Sequence, residues 1–129
     1  MVAADRLTLE VVAGELAVCR LDADAAMPDW ASGPITSITR TVDELSIVCC
    51  QEEVPASVRS ELGWRCLRVV GPLEFSMVGI IASLTGILAT ANIGVFVVST
   101  FDTDLVLVKQ ADLEPAIESL TAAGHVVRS

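Results

Sequence analysis

Apolar residues recur along this chain at two different spacings, and the change from one to the other marks out its elements. After Phe75, residues Ile80, Leu84, Ile87, Leu88 and Ala91 fall on one face of a helix, with Ile81 widening the stripe. Ahead of that helix, Trp64 to Val70 reads as a strand closed by Gly71-Pro72. Behind it, Val95 to Ser99 and Leu105 to Lys109 read as two strands joined through a turn at Thr100 to Asp104. A second helix is signalled by Asp112 as N-cap, Pro115 in the first turn, Leu113, Ile117 and Leu120 on one face, and Gly124 as the stop. His125 to Arg128 supplies a last short strand.

The resulting order is strand, helix, strand, strand, helix, strand, the ferredoxin-like split βαβ arrangement of an α+β fold. Residues 63–129 suffice for one such unit, and residues 1–62 read as a degenerate copy of it. Thr41 to Val48 aligns with Thr100 to Val108 if one residue slips in the turn, so each half has a strand ending in Thr, an acidic turn and an apolar strand. Gly14 to Leu21 stands where Gly63 to Val70 stands in the second half. The intervening first helix of the early copy is cut down to Met27–Gly33, a turn or two, and Leu7 to Val12 adds a strand in front of Gly14.

Composition changes this picture in a few places. The uncharged stretch from Phe75 to Phe101 is long enough to span a bilayer, which takes about 20 apolar residues. Acidic flanks (Glu74, Asp102, Asp104), the Asn92-Ile93-Gly94 break and the β-branched run that follows argue for a buried helix, a tight turn and a buried strand. With 129 residues, 53% of them hydrophobic, there is material for a substantial core. The net charge of −9 opposes binding to phosphate backbones or anionic lipid, so neither nucleic acid nor membrane is an expected partner. No basic, apolar leader is visible, and a cytoplasmic location is the expectation. Cys19, Cys49, Cys50 and Cys66 lack metal or redox spacing and read as structural thiols. The lone histidine, His125, leaves no Ser, Cys or Thr with a recognisable base, so neither a catalytic residue nor a metal or cofactor site is expected.

The residues that carry a family resemblance are Gly71-Pro72-Leu73-Glu74-Phe75-Ser76 leading into Val78-Gly79-Ile80, then Ala91-Asn92-Ile93, Ser99-Thr100-Phe101 with Asp104, and Leu107-Val108 before Asp112-Leu113. Pro28-Asp29-Trp30 and Thr41 to Val48 add to it in the first half. These resemble the ACT-domain fold, and within it the subfamily that includes cytosolic arginine sensors and small bacterial tandem-ACT proteins. The resemblance covers nearly the whole chain and implies two ACT units side by side, with a free amino acid bound where units meet. Carried over residue by residue, it implies a ligand-binding loop of Phe75, Ser76, Met77, Val78, Gly79 and Ile80, and a strand end of Thr100, Phe101 and Asp104. Thr41, Asp43 and Glu44 are secondary candidates on the early copy. One departure stands out. Where arginine sensors carry an acidic residue before the glycine, this chain has Met77, which leaves a less basic amino acid as plausible a ligand as arginine.

The chemistry of these positions is coherent in its own right. Gly79 at a helix start lets a ligand approach the backbone, and exposed N–H groups at the positive end of the helix dipole suit a carboxylate. Asp104 suits a cationic group. Plainer readings remain open at each place: Gly79 as a packing glycine, Asp102 and Asp104 as solvated turn residues, and Phe101 as a core or interface aromatic. The expected function is a non-catalytic amino-acid-binding regulatory protein, forming a homodimer and acting through an unidentified regulated protein. The competing expectation is an interaction module that dimerises through an exposed sheet edge without any ligand.

Overall fold

The computed structural model describes residues 6–71 and 79–129. Its elements are β1 (Thr8–Leu21), β2 (Ser37–Arg40), β3 (Leu45–Cys50), β4 (Arg59–Val69), α1 (Ile80–Thr90), β5 (Phe96–Ser99), β6 (Asp104–Lys109), α2 (Leu113–Ala122) and β7 (Val126–Arg128). Leu7 to Val12 and Gly14 to Leu21, which the sequence pattern divides into separate strands, are thus one continuous β1. The chain divides into two compact units, Met1–Ala13 with Arg65–Ser129, and Gly14–Trp64. The repeat pattern groups the leading segment with residues 1–62, whereas its contacts lie with the larger unit. Leu7 and Leu9 sit in that unit's core, and Thr8–Glu10 pairs in parallel with Val126–Arg128.

In the larger unit the strands run in the order β7-β1-β4-β6-β5, the leading half of β1 lying between β4 and β7. Leu9 on β1, Leu67 and Val69 on β4, and Val106 and Val108 on β6 form one sheet face. Ile80, Leu84 and Leu88 from α1 and Leu113, Ala116 and Leu120 from α2 cover it, as the helical spacing requires. Both helices end in the same way. After α1, Ile93 N–H reaches back to Leu88 O and Asn92 N–H to Ala89 O, both at 2.9 Å, with Asn92 left-handed at φ 63°. After α2, His125 N–H bonds Leu120 O and Gly124 N–H bonds Thr121 O, with Gly124 at φ 103°. The start of α2 departs from expectation. Asp112 is at the N-cap position but its side chain makes no cap bond, because the backbone enters the helix from a 3-10 turn at Gln110–Asp112. His125 is buried, and its Nδ1 accepts the Leu7 N–H at 3.0 Å while Val126 N–H bonds Leu7 O. The single histidine therefore fastens β1 to β7.

The smaller unit keeps the strands of the repeat and discards its helices. β3 pairs antiparallel with β1, Cys19 opposite Ile47 and Leu21 opposite Leu45, and β2 pairs antiparallel with β3. Ala17, Cys19, Leu45, Ile47 and Cys49 form its apolar face. The expected short helix at Met27–Gly33 is absent; that stretch holds only a turn at Asp29–Trp30. The place of the second helix is taken by a 3-10 turn, Gln51–Glu53, followed by Pro55. Pro28, Gly33, Pro34 and Pro55 leave little room for a helix in either segment. Instead Trp30, Ala31, Val54 and Val58 lie on the sheet face that helices would otherwise cover.

The repeat itself is closer than the sequence alignment allows. Thr41 N–H bonds Glu44 O at 2.9 Å, and Thr100 N–H bonds Thr103 O at 2.8 Å. The strands resume at Leu45 and Asp104, with Arg40 opposite Leu45 and Ser99 opposite Asp104. The two turns superpose in register with no slipped residue. The matching leucines at 45 and 105, which suggest the slip, occupy positions one apart in the shared turn geometry.

Candidate functional site

The candidate residues of the larger unit lie at the start of α1 and in the turn from β5 to β6. Gly79 is the N-cap of α1 at φ 84°, ψ 4°. A Cβ placed on it would meet nothing within 4 Å among the described residues, so its backbone conformation, and not close packing of helix on sheet, is what calls for glycine. The first turn of α1 carries no acidic residue and no side-chain cap, and its first intrahelical bond runs from Ser83 N–H to Gly79 O at 2.8 Å. The N–H groups ahead of Ser83 have no acceptor within the helix and sit at its positive end. Ile80, by contrast, points into the core at 7% exposure, so only its backbone faces a ligand at this helix start. Phe75, Ser76, Met77 and Val78 lie outside the described residues.

The other candidates lie in the β5–β6 turn. Thr100 Oγ1 donates to Thr103 O at 3.0 Å and accepts from Thr103 N–H at 3.2 Å, closing the turn on itself. Asp104 Oδ1 accepts the Ser99 hydroxyl at 2.7 Å, which orients the carboxylate and leaves Oδ2 without a donor among the described residues. Phe101 stands at the tip with 80% exposure, so it is not a core aromatic. The sequence pattern does not single out Thr103, yet it is one of two buried polar side chains among the described residues, the other being His125. Its hydroxyl donates to Val69 O at 2.6 Å, joining this turn to the end of β4.

The secondary candidates occupy the equivalent turn of the smaller unit. Thr41 Oγ1 is engaged by Asp43 N–H at 3.1 Å and Glu44 N–H at 3.2 Å, and Arg20 donates to Asp43 O at 2.9 Å. Val42 at its tip is 92% exposed, matching Phe101. These groups complete their own turn, and the Arg20 guanidinium occupies the Asp43 carbonyl.

The remaining reactive groups are elsewhere. The four cysteines are unpaired, with Cys19, Cys49 and Cys66 buried. Burial pushes the Cys19 and Cys66 thiols up to about 12 and raises that of Cys49. Among the described residues no cluster of three or more His, Cys, Asp or Glu side chains is placed to hold a metal ion, and no helix is long and apolar enough to cross a membrane.

The family model for the ACT domain matches residues 59–122, and a separate model for an N-terminal domain matches residues 14–57. A protein of known structure from Agobacterium tumefaciens is 46% identical, over 96% of this chain and 93% of that one, at a TM-score of 0.90. The human cytosolic arginine sensor for mTORC1 subunit 1 is 41% identical over 58 residues, 44% of this chain and 18% of the sensor, so the match spans less than a fifth of that relative. Aspartate kinase from Clostridium acetobutylicum shares the fold at a TM-score of 0.67, with 13% identity over 95% of this chain and 36% of the kinase.

Proposed function

The chain belongs to the ACT-domain family, and from that premise we propose that it is a non-catalytic, cytoplasmic regulatory protein that binds a free amino acid where ACT units meet. What supports this reading is that the larger unit carries two groups of opposite electrostatic character among the candidate residues. N–H groups at the α1 N-terminus, with no side-chain cap among the described residues, suit an α-carboxylate, and the oriented Asp104 carboxylate suits an ammonium or a basic side chain. An amino acid presents both charges. Similarity to a protein named as an arginine sensor supports the ligand class, while Met77 weighs against arginine in particular. A thermal-shift screen across the twenty amino acids is expected to give concentration-dependent stabilisation with a small subset, as linkage requires. Asp104→Ala is expected to abolish that shift while the protein stays folded. Silence from all twenty at millimolar concentration would sink the proposal.

A second reading has its own support. β5 is the outer strand of the larger unit, carries no charged residue and runs into the exposed Phe101, the kind of edge that pairs with another strand. On that reading the chain is a ligand-independent dimerisation module. Light scattering coupled to gel filtration separates the two, since a homodimer whose mass and melting temperature ignore every amino acid fits only the second.

A further inference from the structure

We propose that Thr103 is a positioning residue for the candidate ligand site: its hydroxyl fastens the turn bearing Thr100 and Asp104 to the end of β4, so that the Asp104 carboxylate is held in place against the sheet. The proposal rests on the amino-acid-binding reading above. Its ground is a comparison the molecule makes internally. The turn at Thr41–Glu44 has the same closing bond as the turn at Thr100–Thr103, yet its last residue is Glu44, which has no hydroxyl. A hydroxyl at this position is therefore not needed to form the turn. In the larger unit the hydroxyl reaches outside its own turn to a backbone carbonyl 34 residues away in sequence.

The target of that bond matters. Val69 is the last residue of β4, and the next N–H, of Val70, donates to Thr8 O at 2.8 Å. The chain is thus gripped on both sides at the end of β4. From there Thr103 connects through its backbone to Thr100, and it directly precedes Asp104, whose carboxylate Ser99 orients. A ligand that draws on Asp104 would find that carboxylate already held in its turn and the turn held against β4, which reduces the ordering cost of binding.

Thr103→Val keeps the shape and removes the donor, and Thr103→Ser keeps the donor. Hydrogen exchange on the ligand-free protein is expected to quicken in Thr103→Val at both Thr100 and Val70, and to stay near wild type in Thr103→Ser. Quickening at Thr100 alone, or at neither, would overturn the linkage. Titration with the amino acid that gives the largest thermal shift in wild type is then expected to show affinity weakened about three- to tenfold in Thr103→Val and recovered in Thr103→Ser. Equal affinity in both variants would refute a role in positioning. If wild type answers no amino acid while the exchange pattern appears as expected, the binding reading fails and takes the positioning role with it, leaving Thr103 a structural clasp alone.

Discussion

Asp104 and Gly79 carry their chemistry within a few neighbouring residues, and Thr103 does not. A glycine opening a helix and an acid closing a turn are local signals, legible in a short window of sequence. The partner of the Thr103 hydroxyl lies 34 residues upstream, and nothing near Thr103 announces it. Its only sequence trace is a Thr placed between two acids, Asp102 and Asp104, which reads as an ordinary solvated turn. For Gly79 the structure adds a reason for glycine that the sequence does not show, a left-handed backbone. Because its φ is 84° with open space beside it, Gly79→Ala is expected to cost about 1–2 kcal/mol through backbone strain alone. Urea denaturation measures this. A loss well beyond that range would mean the added methyl meets a steric obstacle after all.

Legibility at the level of elements followed the strength of periodicity and caps. α1, α2 and the strands between them are readable because Leu84, Leu88, Leu113 and Leu120 repeat at helical spacing and Asn92 and Gly124 stop each helix. The smaller unit is harder, since proline and glycine replace its helices and tertiary packing then decides what covers the sheet. Trp30 does so in the segment whose pattern suggests a remnant helix. Trp30→Ala is expected to cost about 2 kcal/mol or more and to speed thiol labelling of Cys19 and Cys49, while Cys66, in the other unit, keeps its wild-type rate. Mass spectrometry of alkylated protein separates the sites. Uniform acceleration at all three would show that Trp30 supports global stability and not one sheet face.

The whole molecule responds to pH through groups on its strands. Glu10 is held below its ordinary value of 4.5, first by the hydrogen bond from Arg68 and then by charge from Arg68 and Arg128. A lowered native value means its contribution is complete above about pH 4.5 and is lost as pH falls through that lower value. Glu10→Gln should therefore lower the melting temperature slightly at neutral pH, where the Glu10 contribution is complete, change it least at acid pH, and so flatten the acid side of the profile. The buried thiols act in the opposite range. Cys19 and Cys66 hold their protons to about 12 in the native state but release them near 9.0 when unfolded, so stability declines as pH climbs between those values. Cys66→Ala is expected to make that alkaline decline shallower, a change in slope that thermal melts across the range detect.

The path of the chain through its two units has a practical side. Residues 14–64 form the smaller unit as a single insert, and the larger one is assembled from the pieces before and after it. A fragment cut at residue 59, where the family match begins, would look like a whole ACT domain to anyone choosing cloning boundaries from that match. It would lack Leu7 and Leu9, the strand beside β7 and the amide held by His125. Such a fragment is expected to express poorly or aggregate, and a synthetic peptide of residues 6–13 added in trans should recover soluble, cooperatively melting protein. Anyone wishing to transplant this unit onto a reporter should join residues 6–13 to 65–129 through a short designed loop, a splice no linear boundary would suggest.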